Sequence, residues 1–290
     1  MYFSKLLEHV NPNLYREYRF EKFRDSDSFV EKEVTPDKKA GEMYFTLQTN
    51  SIEKLAQKIS TLDESHEAYR YLKARKLPAV WFDRLYFSDN LNEIATLFPG
   101  KYDDTKFARE PRIIIPIYNR QKELVGVAAR AYKPSNLRYV MLRKSDDEPL
   151  IFNIERIDLS KPVYAFEGAF DSMFVENSVA ASGIDFSKIE TMVPKERMIV
   201  VVDNQPRNKE VIQRIDKTVA AGFPMLVWPS RKDLRKDINQ NVIDNIIPAD
   251  KVKKFIDDNV YSGMILKLKL TDWKKLEINA NGNFSTSYRR

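Results

Sequence analysis

Pro162-Val163-Tyr164-Ala165-Phe166-Glu167-Gly168-Ala169-Phe170-Asp171 decides the fold. The first five residues form a continuous apolar run, as in a strand covered on both faces, and the run ends on a carboxylate. A helix is expected from Ala169 to about Asn177. The pattern recurs downstream. Met198-Ile199-Val200-Val201-Val202 is a second such strand and leads straight into Asp203. Pro206 stands where a first helical turn would begin, and Gly222 closes the helix it opens. Pro224-Met225-Leu226-Val227-Trp228 is a third strand, followed by Asp233 and Asp237. Short buried strands joined by crossover helices predict an α/β fold with a Rossmann-like parallel sheet.

Upstream the pattern differs. Ile113-Ile114-Ile115-Pro116-Ile117-Tyr118 and Leu124-Val125-Gly126-Val127-Ala128-Ala129 flank a polar Asn-Arg-Gln-Lys-Glu turn and predict a hairpin. Arg138-Tyr139-Val140-Met141-Leu142 is the next strand of what should be a small antiparallel sheet. From Arg112 to Lys144 the basic residues are Arg112, Arg120, Lys122, Arg130, Lys133, Arg138, Arg143 and Lys144, and Glu123 is the only acid. Interleaved with Tyr118, Tyr132 and Tyr139, this block suits phosphates and bases. The plainer alternative is a solvated sheet face. A helical pattern covers residues 52–77 and stops at Pro78. Residues 1–20 suit short amphipathic helices, and Glu21–Gly41 reads as a charged linker or arm. The end is expected to be helical from about Ile238 to Asn259, with a flexible tail at 279–283.

Composition narrows the function. The chain has 290 residues, a net charge of +6, no cysteine and only two histidines, His9 and His66. That excludes a disulfide framework and a thiolate zinc site, and it disfavours a histidine cage. No apolar run approaches the roughly 18–20 residues that span a bilayer, and no signal-peptide core opens the chain. A soluble intracellular protein is expected.

In parallel α/β sheets functional groups collect beyond the carboxyl ends of the strands, where Glu167, Asp203 and Asp237 fall, with Asp171 one helical turn after Glu167. Hard oxygen ligands of this kind suit Mg²⁺. Asp171 could instead serve its helix dipole. Asp233 reads more simply as surface charge beside lysines. Glu167 and Asp203 are harder to dismiss, because a buried-type strand gains nothing by ending in an unpaired carboxylate.

Glu167-Gly168-Ala169-Phe170-Asp171 resembles the first signature of the Toprim (topoisomerase–primase) fold, and Val201-Val202-Asp203-Asn204-Gln205 occupies the second. Gln205 stands where that pattern has a second acid. Ile115-Pro116-Ile117, Gly126-Val127-Ala128-Ala129-Arg130 and Arg138-Tyr139-Val140 resemble the basic half of bacterial and phage primases, the DnaG-like family. Asp203 to Glu210, Lys236-Asp237-Ile238-Asn239 and the segment Tyr261 to Lys275 are similar to the primase subunit of T4-like phages in particular.

The resemblance implies a Toprim core preceded by a basic mixed α+β subdomain. It divides the chain into an N-terminal helical segment and linker (1–48), a basic subdomain of the polymerase core (49–158), a Toprim domain (159–240) and a C-terminal helical segment with tail (241–290). It implies a DNA primase, a nucleotidyltransferase that makes short RNA primers for DNA replication in the cytoplasm of an infected bacterium. Glu167, Asp203 and Asp171 would be catalytic, with Glu167, Asp203 and Asp237 holding Mg²⁺ or Mn²⁺. Arg130, Lys133, Arg138, Lys144 and Lys236 would contact nucleic acid or NTP. Single-stranded DNA, ribonucleoside triphosphates and a phage replicative helicase are the implied partners. Relatives begin with a cysteine-based zinc module, so no zinc is expected in this chain; either the module is a separate zinc-binding subunit, a further partner, or it was removed, or this relative does without it. A Toprim-type nuclease and a non-catalytic single-strand-binding or helicase-accessory paralogue are the alternatives. The basic sheet preceding the acids favours the primase.

Overall fold

Ile113, Ile114 and Ile115 point alternately to opposite faces of a strand, and all three are fully buried. The upstream sheet is therefore covered on both sides. The computed structural model describes residues 52–181 and 186–275, with the backbone of 277–278 and 284–285. These lie in one compact unit, Glu42–Arg290, and the other unit, Met1–Gly41, lies outside the described residues. The expected helices of 1–20, the Glu21–Gly41 arm and the tail at 279–283 fall there too.

In chain order the first half holds β1 (Gln57–Lys58), α1 (Glu67–Ala74), β2 (Tyr86–Ser88), α2 (Leu91–Ala95), β3 (Arg112–Tyr118), β4 (Leu124–Ala131) and β5 (Tyr139–Arg143). The five strands form an antiparallel sheet in sequence order. Its β3–β4 turn is set by Asn119, whose side-chain oxygen accepts from Gln121 N (3.0 Å) and Glu123 N (2.9 Å). Lys122 takes the left-handed conformation there, at φ 63°. Pro116 lies beyond the last β2 pair, at Ile114, so its missing N–H is not needed on that side. One sheet face buries Ile114, Val127, Ala129 and Leu142 against the α2 region (Leu91, Ile94, Phe98). The other joins the core of the second half, and Trp81 Nε1 donates across to Met173 O at 2.8 Å.

The second half holds β6 (Val163–Phe166), α3 (Ala169–Ser172), β7 (Ser178–Ala180), β8 (Met198–Val201), α4 (Lys209–Ala220), β9 (Met225–Leu226), α5 (Ile238–Ile243), α6 (Val252–Asp257), β10 (Val260–Tyr261) and α7 (Gly263–Trp273). The sheet order is β10-β9-β8-β6-β7. Strands β7, β6, β8 and β9 run parallel, and β10 closes one edge antiparallel. This is the expected Toprim-like α/β core behind a mixed subdomain.

Several helices differ from expectation. Residues 52–77 are not one helix. Strand β1 pairs with β2, and the amides of Ile59 and Ser60 donate to Leu85 O and Phe82 O. An Asp63 turn then precedes α1, which His66 caps by accepting from Ala68 N. Helix α3 stops at Ser172 rather than near Asn177. Ser172 Oγ bonds back to Ala169 O, and Ser178 Oγ donates to Ser172 O. Helix α4 starts at Lys209, capped by Asn208, whose side chain accepts from Glu210 N and Val211 N; Pro206 precedes it in a turn. Gly222 ends α4 in the left-handed region, φ 83°, as expected. The stretch 238–259 is broken between α5 and α6, where Asn245 turns left-handed at φ 57° and Pro248 interrupts the helical ladder. The strand expected at Pro224–Trp228 is confined to Met225–Leu226.

Gly126 in β4 is a packing requirement. A Cβ built there would lie 2.5 Å from Leu150 Cδ2 and 2.7 Å from the carbonyl oxygen of Leu142 on the neighbouring strand. The carbonyl cannot swing away without breaking the ladder. Gly126→Ala should lower the unfolding free energy by about 1–3 kcal/mol in urea titration, and unchanged stability would contradict this packing.

Candidate active site

Four carboxylates gather at the carboxyl edge of the parallel sheet. Glu167 directly follows β6. Asp203 follows β8 after one residue, and its backbone N–H donates to Glu167 Oε1 at 3.3 Å. Glu167 Oε2 accepts from Arg214 Nη2 of α4 at 3.2 Å. Asp171 lies in α3 with Oδ1 accepting from Asn239 N at 2.8 Å. Asp237 caps α5, with Oδ1 accepting from Gln240 N at 2.7 Å. The loops that carry Asp203 and Asp237 are tied together, since Asn204 N donates to Lys236 O at 2.6 Å.

Gly168 separates the first two acids for a steric reason. A Cβ there would meet Asp171 Oδ2 at 2.9 Å, so the glycine leaves room for that carboxylate.

Two of the acids, Asp203 and Asp171, have their proton affinity raised by burial and by neighbouring carboxylates. Burial, then Glu167, Asp171 and Asp237 push the Asp203 carboxyl up to about 7, against the pull of Lys236 at 3.7 Å. Asp171 is raised as well, by burial and then by Asp237, while the Asn239 amide, Arg75 and Arg130 oppose the rise. Gln205 turns its amide N–H toward Asp203 Oδ2 at 3.2 Å. It donates to the cluster where an acid would add charge. Asp233 stays outside, exposed and paired with Arg231 at 2.5 Å.

The basic residues divide into two groups. Arg130 is buried, 5% exposed, with Nε on Tyr71 Oη at 2.8 Å and its guanidinium against the rings of Tyr139 and Phe170. Arg112 is buried too and holds the carbonyls of Ala129 and Leu137. The block is thus not one open sheet face. Arg138 and Lys144 are exposed and make no ion pair with the acids among the described residues. Lys133 pairs with Glu67 at 2.5 Å, and Lys236 flanks Asp203.

Sequence reading missed Arg214, Asn239 and Arg75. Arg214 borders the apolar stripe Val211–Ile215 of α4, which was a readable hint. Asn239 serves through its backbone, for which no side-chain signal exists. Arg75 lies over the rings of Tyr71 and Phe170, and its carbonyl accepts from Asn239 Nδ2 at 2.8 Å. Like Arg130, it lies over the ring of Phe170, which precedes Asp171.

No three His, Cys, Asp or Glu side chains among the described residues close on a single point as a ready-made metal cage. The donor chemistry nevertheless fits a hydrated Mg²⁺, which needs only one or two carboxylates and fills its other positions with water or phosphate. The elevation of Asp203 and Asp171 by neighbouring carboxylates marks an anionic cluster that a cation would relieve.

Crowding has a measurable consequence. Folded Asp203 keeps its proton up to about 7, whereas the unfolded chain loses it near 3.8. The folded state therefore binds more protons in that window. The group's contribution is full below it and is lost as pH rises through it. Asp237→Asn keeps the helix cap, as Asn and Asp cap equally well, and removes one repelling charge. In chelator at pH 8 this variant should be about 1 kcal/mol more stable than the native chain. The gap should shrink at pH 5, and equal stabilities at both pH values in urea melts would contradict the mutual repulsion.

Among known proteins, no family model matches the chain. It is 28% identical over 274 residues to the DNA primase of Enterobacteria phage T4, covering 93% of this chain and 78% of that protein. Among solved structures it is similar to a DnaG primase catalytic domain bound to single-stranded DNA (TM-score 0.57, 11% identity, 84% of this chain and 87% of that one). It is also similar to the E. coli primase catalytic core (TM-score 0.55, 13% identity, 80% and 83%). The chain is thus similar to the T4 DNA primase along nearly its whole length and shares the fold of DnaG primase catalytic cores.

Proposed function

We propose that this chain is the polymerase core of a DNA primase, joining ribonucleoside triphosphates on a single-stranded DNA template. The observation that carries the reading is the carboxylate cluster of Glu167, Asp171, Asp203 and Asp237 at the strand ends, in a chain aligned with the T4 primase over 93% of its length. Glu167 and Asp203 would hold a divalent cation, Mg²⁺ or Mn²⁺, with Asp237 beside them. When bound, such an ion neutralises phosphate charge and lowers the pKa of an attacking hydroxyl.

The chain's own residues do the rest. Arg214 and the Asp203 amide orient the Glu167 carboxylate from two directions. The Asn239 amide fixes one oxygen of Asp171 and leaves the other facing the Gly168 gap. Arg130 and Arg75, both over the Phe170 ring, offset the charge of Asp171. Lys236, exposed beside Asp203, is the cation nearest an incoming triphosphate. Arg138, Lys144 and Lys133 supply template phosphate contacts from the antiparallel sheet, where grip is sequence-tolerant. Phosphoryl transfer asks for this kind of positioning and charge compensation. A replicative helicase is the further expected partner.

Glu167→Gln keeps an acceptor for the Asp203 amide but removes the charge that meets Arg214. Primer synthesis should fall at least a hundredfold, while single-stranded DNA binding, read by fluorescence anisotropy, stays within twofold. Near-native synthesis by the variant would overturn the assignment of the site.

A further inference from the structure

Asn204, the residue after Asp203, lines a pocket of about 590 Å³, within the size range of small-ligand sites. Its walls come from the loop after β8, the loop after β9, β10 and α7. The charged lining is Arg207, Arg231, Lys232, Lys269 and Lys275 against a single acid, Asp272. Arg207 and Lys232 are exposed and form no ion pair among the described residues. Lys269 lies over the Tyr261 ring at 5.4 Å, and Lys275 Nζ donates to Asp272 O. Only Arg231 has a carboxylate partner, Asp233.

The pocket is coupled to the active site. Trp273 Nε1 donates to Asn204 Oδ1 at 3.1 Å, and Lys275 N donates to Pro206 O at 2.9 Å. The end of α7 is thereby fastened to the residues that follow Asp203. Trp228 Nε1 donates to Val202 O on the same loop, at 2.7 Å.

We propose that this pocket holds the triphosphate of the initiating nucleotide, an inference that rests on the primase reading. Starting a chain from single nucleotides needs two triphosphates at once. The 3′-oxygen of the first bonds to the α-phosphorus of the second, the α–β phosphoanhydride bond breaks, pyrophosphate leaves, and the hydroxyl proton passes to water. The second triphosphate reacts and must sit at the acids. The first is untouched, carries several negative charges, and needs a cationic seat next to the acids. The pocket lined by Asn204 and Pro206, which follow Asp203 in the chain, supplies it. A single strand tracking through would need successive exposed aromatic platforms. Here Trp228 and Trp273 are buried, and only Tyr261 is partly open. Compact positive charge favours a polyphosphate over a strand.

The test compares the full chain with the Arg207→Ala/Lys269→Ala variant, two exposed changes. Dinucleotide formation from ATP and GTP on single-stranded DNA should fall at least tenfold through a raised KM for the initiating nucleotide. Extension of an annealed oligoribonucleotide with a 5′-hydroxyl should fall less than threefold. Equal losses in the two assays, or undiminished initiation, overturn the proposal. Binding of ATP in chelator separates it from the catalytic reading. The native chain should bind ATP there at least tenfold more tightly than the variant, and adenosine should not distinguish them. Equal ATP binding refutes the pocket. A native chain that retains this binding yet joins no nucleotides in either assay refutes the primase reading and the initiating role, leaving only a triphosphate site.

Discussion

Carboxylates crowded at the ends of parallel strands repel one another, and much of the surrounding structure compensates for that repulsion. Asp203 is raised by burial and by three neighbouring acids. Each acid is fastened by a donor, and the donors come from three elements: Arg214 from α4, the amides of Asn239 and Gln240 from α5, and Gln205 from the loop after β8. Gly168 gives one of them room. A cluster held this way is costly in stability and has a use only where positive charge is to be received.

The antiparallel sheet supplies part of that positive charge indirectly. Arg130 is buried and stacked rather than displayed, and like Arg75 it lies over Phe170 next to Asp171. Cations available to nucleic acid are the exposed ones, Arg138 and Lys144 among them. The two halves share a continuous apolar core, with Trp81 bonded to Met173 O across it, so the antiparallel sheet and the acids are held in fixed relation. Beyond Asn204 a second basic feature is tied to the Asp203 loop through Trp273 and Lys275.

The parallel core, the hairpin and the central acids were legible because a buried strand gains no stability by ending in a carboxylate, so the charge marks a site. Glu167 and Asp203 are joined as neighbouring strand ends require. What escaped was mostly long-range. Asn239 reaches Asp171 across 68 residues and through its backbone, leaving no trace in residue type. The apolar spacing of Ile238, Val242, Ile246, Val252 and Ile256 mimics one helix, yet Asn245 and Pro248 divide it, and Lys76 from the other half donates to Val242 O at the break. Pairing of β1 with β2 overrode a helical pattern in the same way. Burial of Arg130 was hidden because only three-dimensional packing sets Tyr71, Tyr139 and Phe170 around it.

The most direct measurement supplies the full chain with single-stranded DNA, the four ribonucleoside triphosphates and Mg²⁺, and resolves the products on a denaturing gel. Short RNAs that begin with a 5′-triphosphate, absent when the metal is chelated, are the result this account predicts. Cleavage of the DNA, or DNA binding without any new RNA, would contradict it.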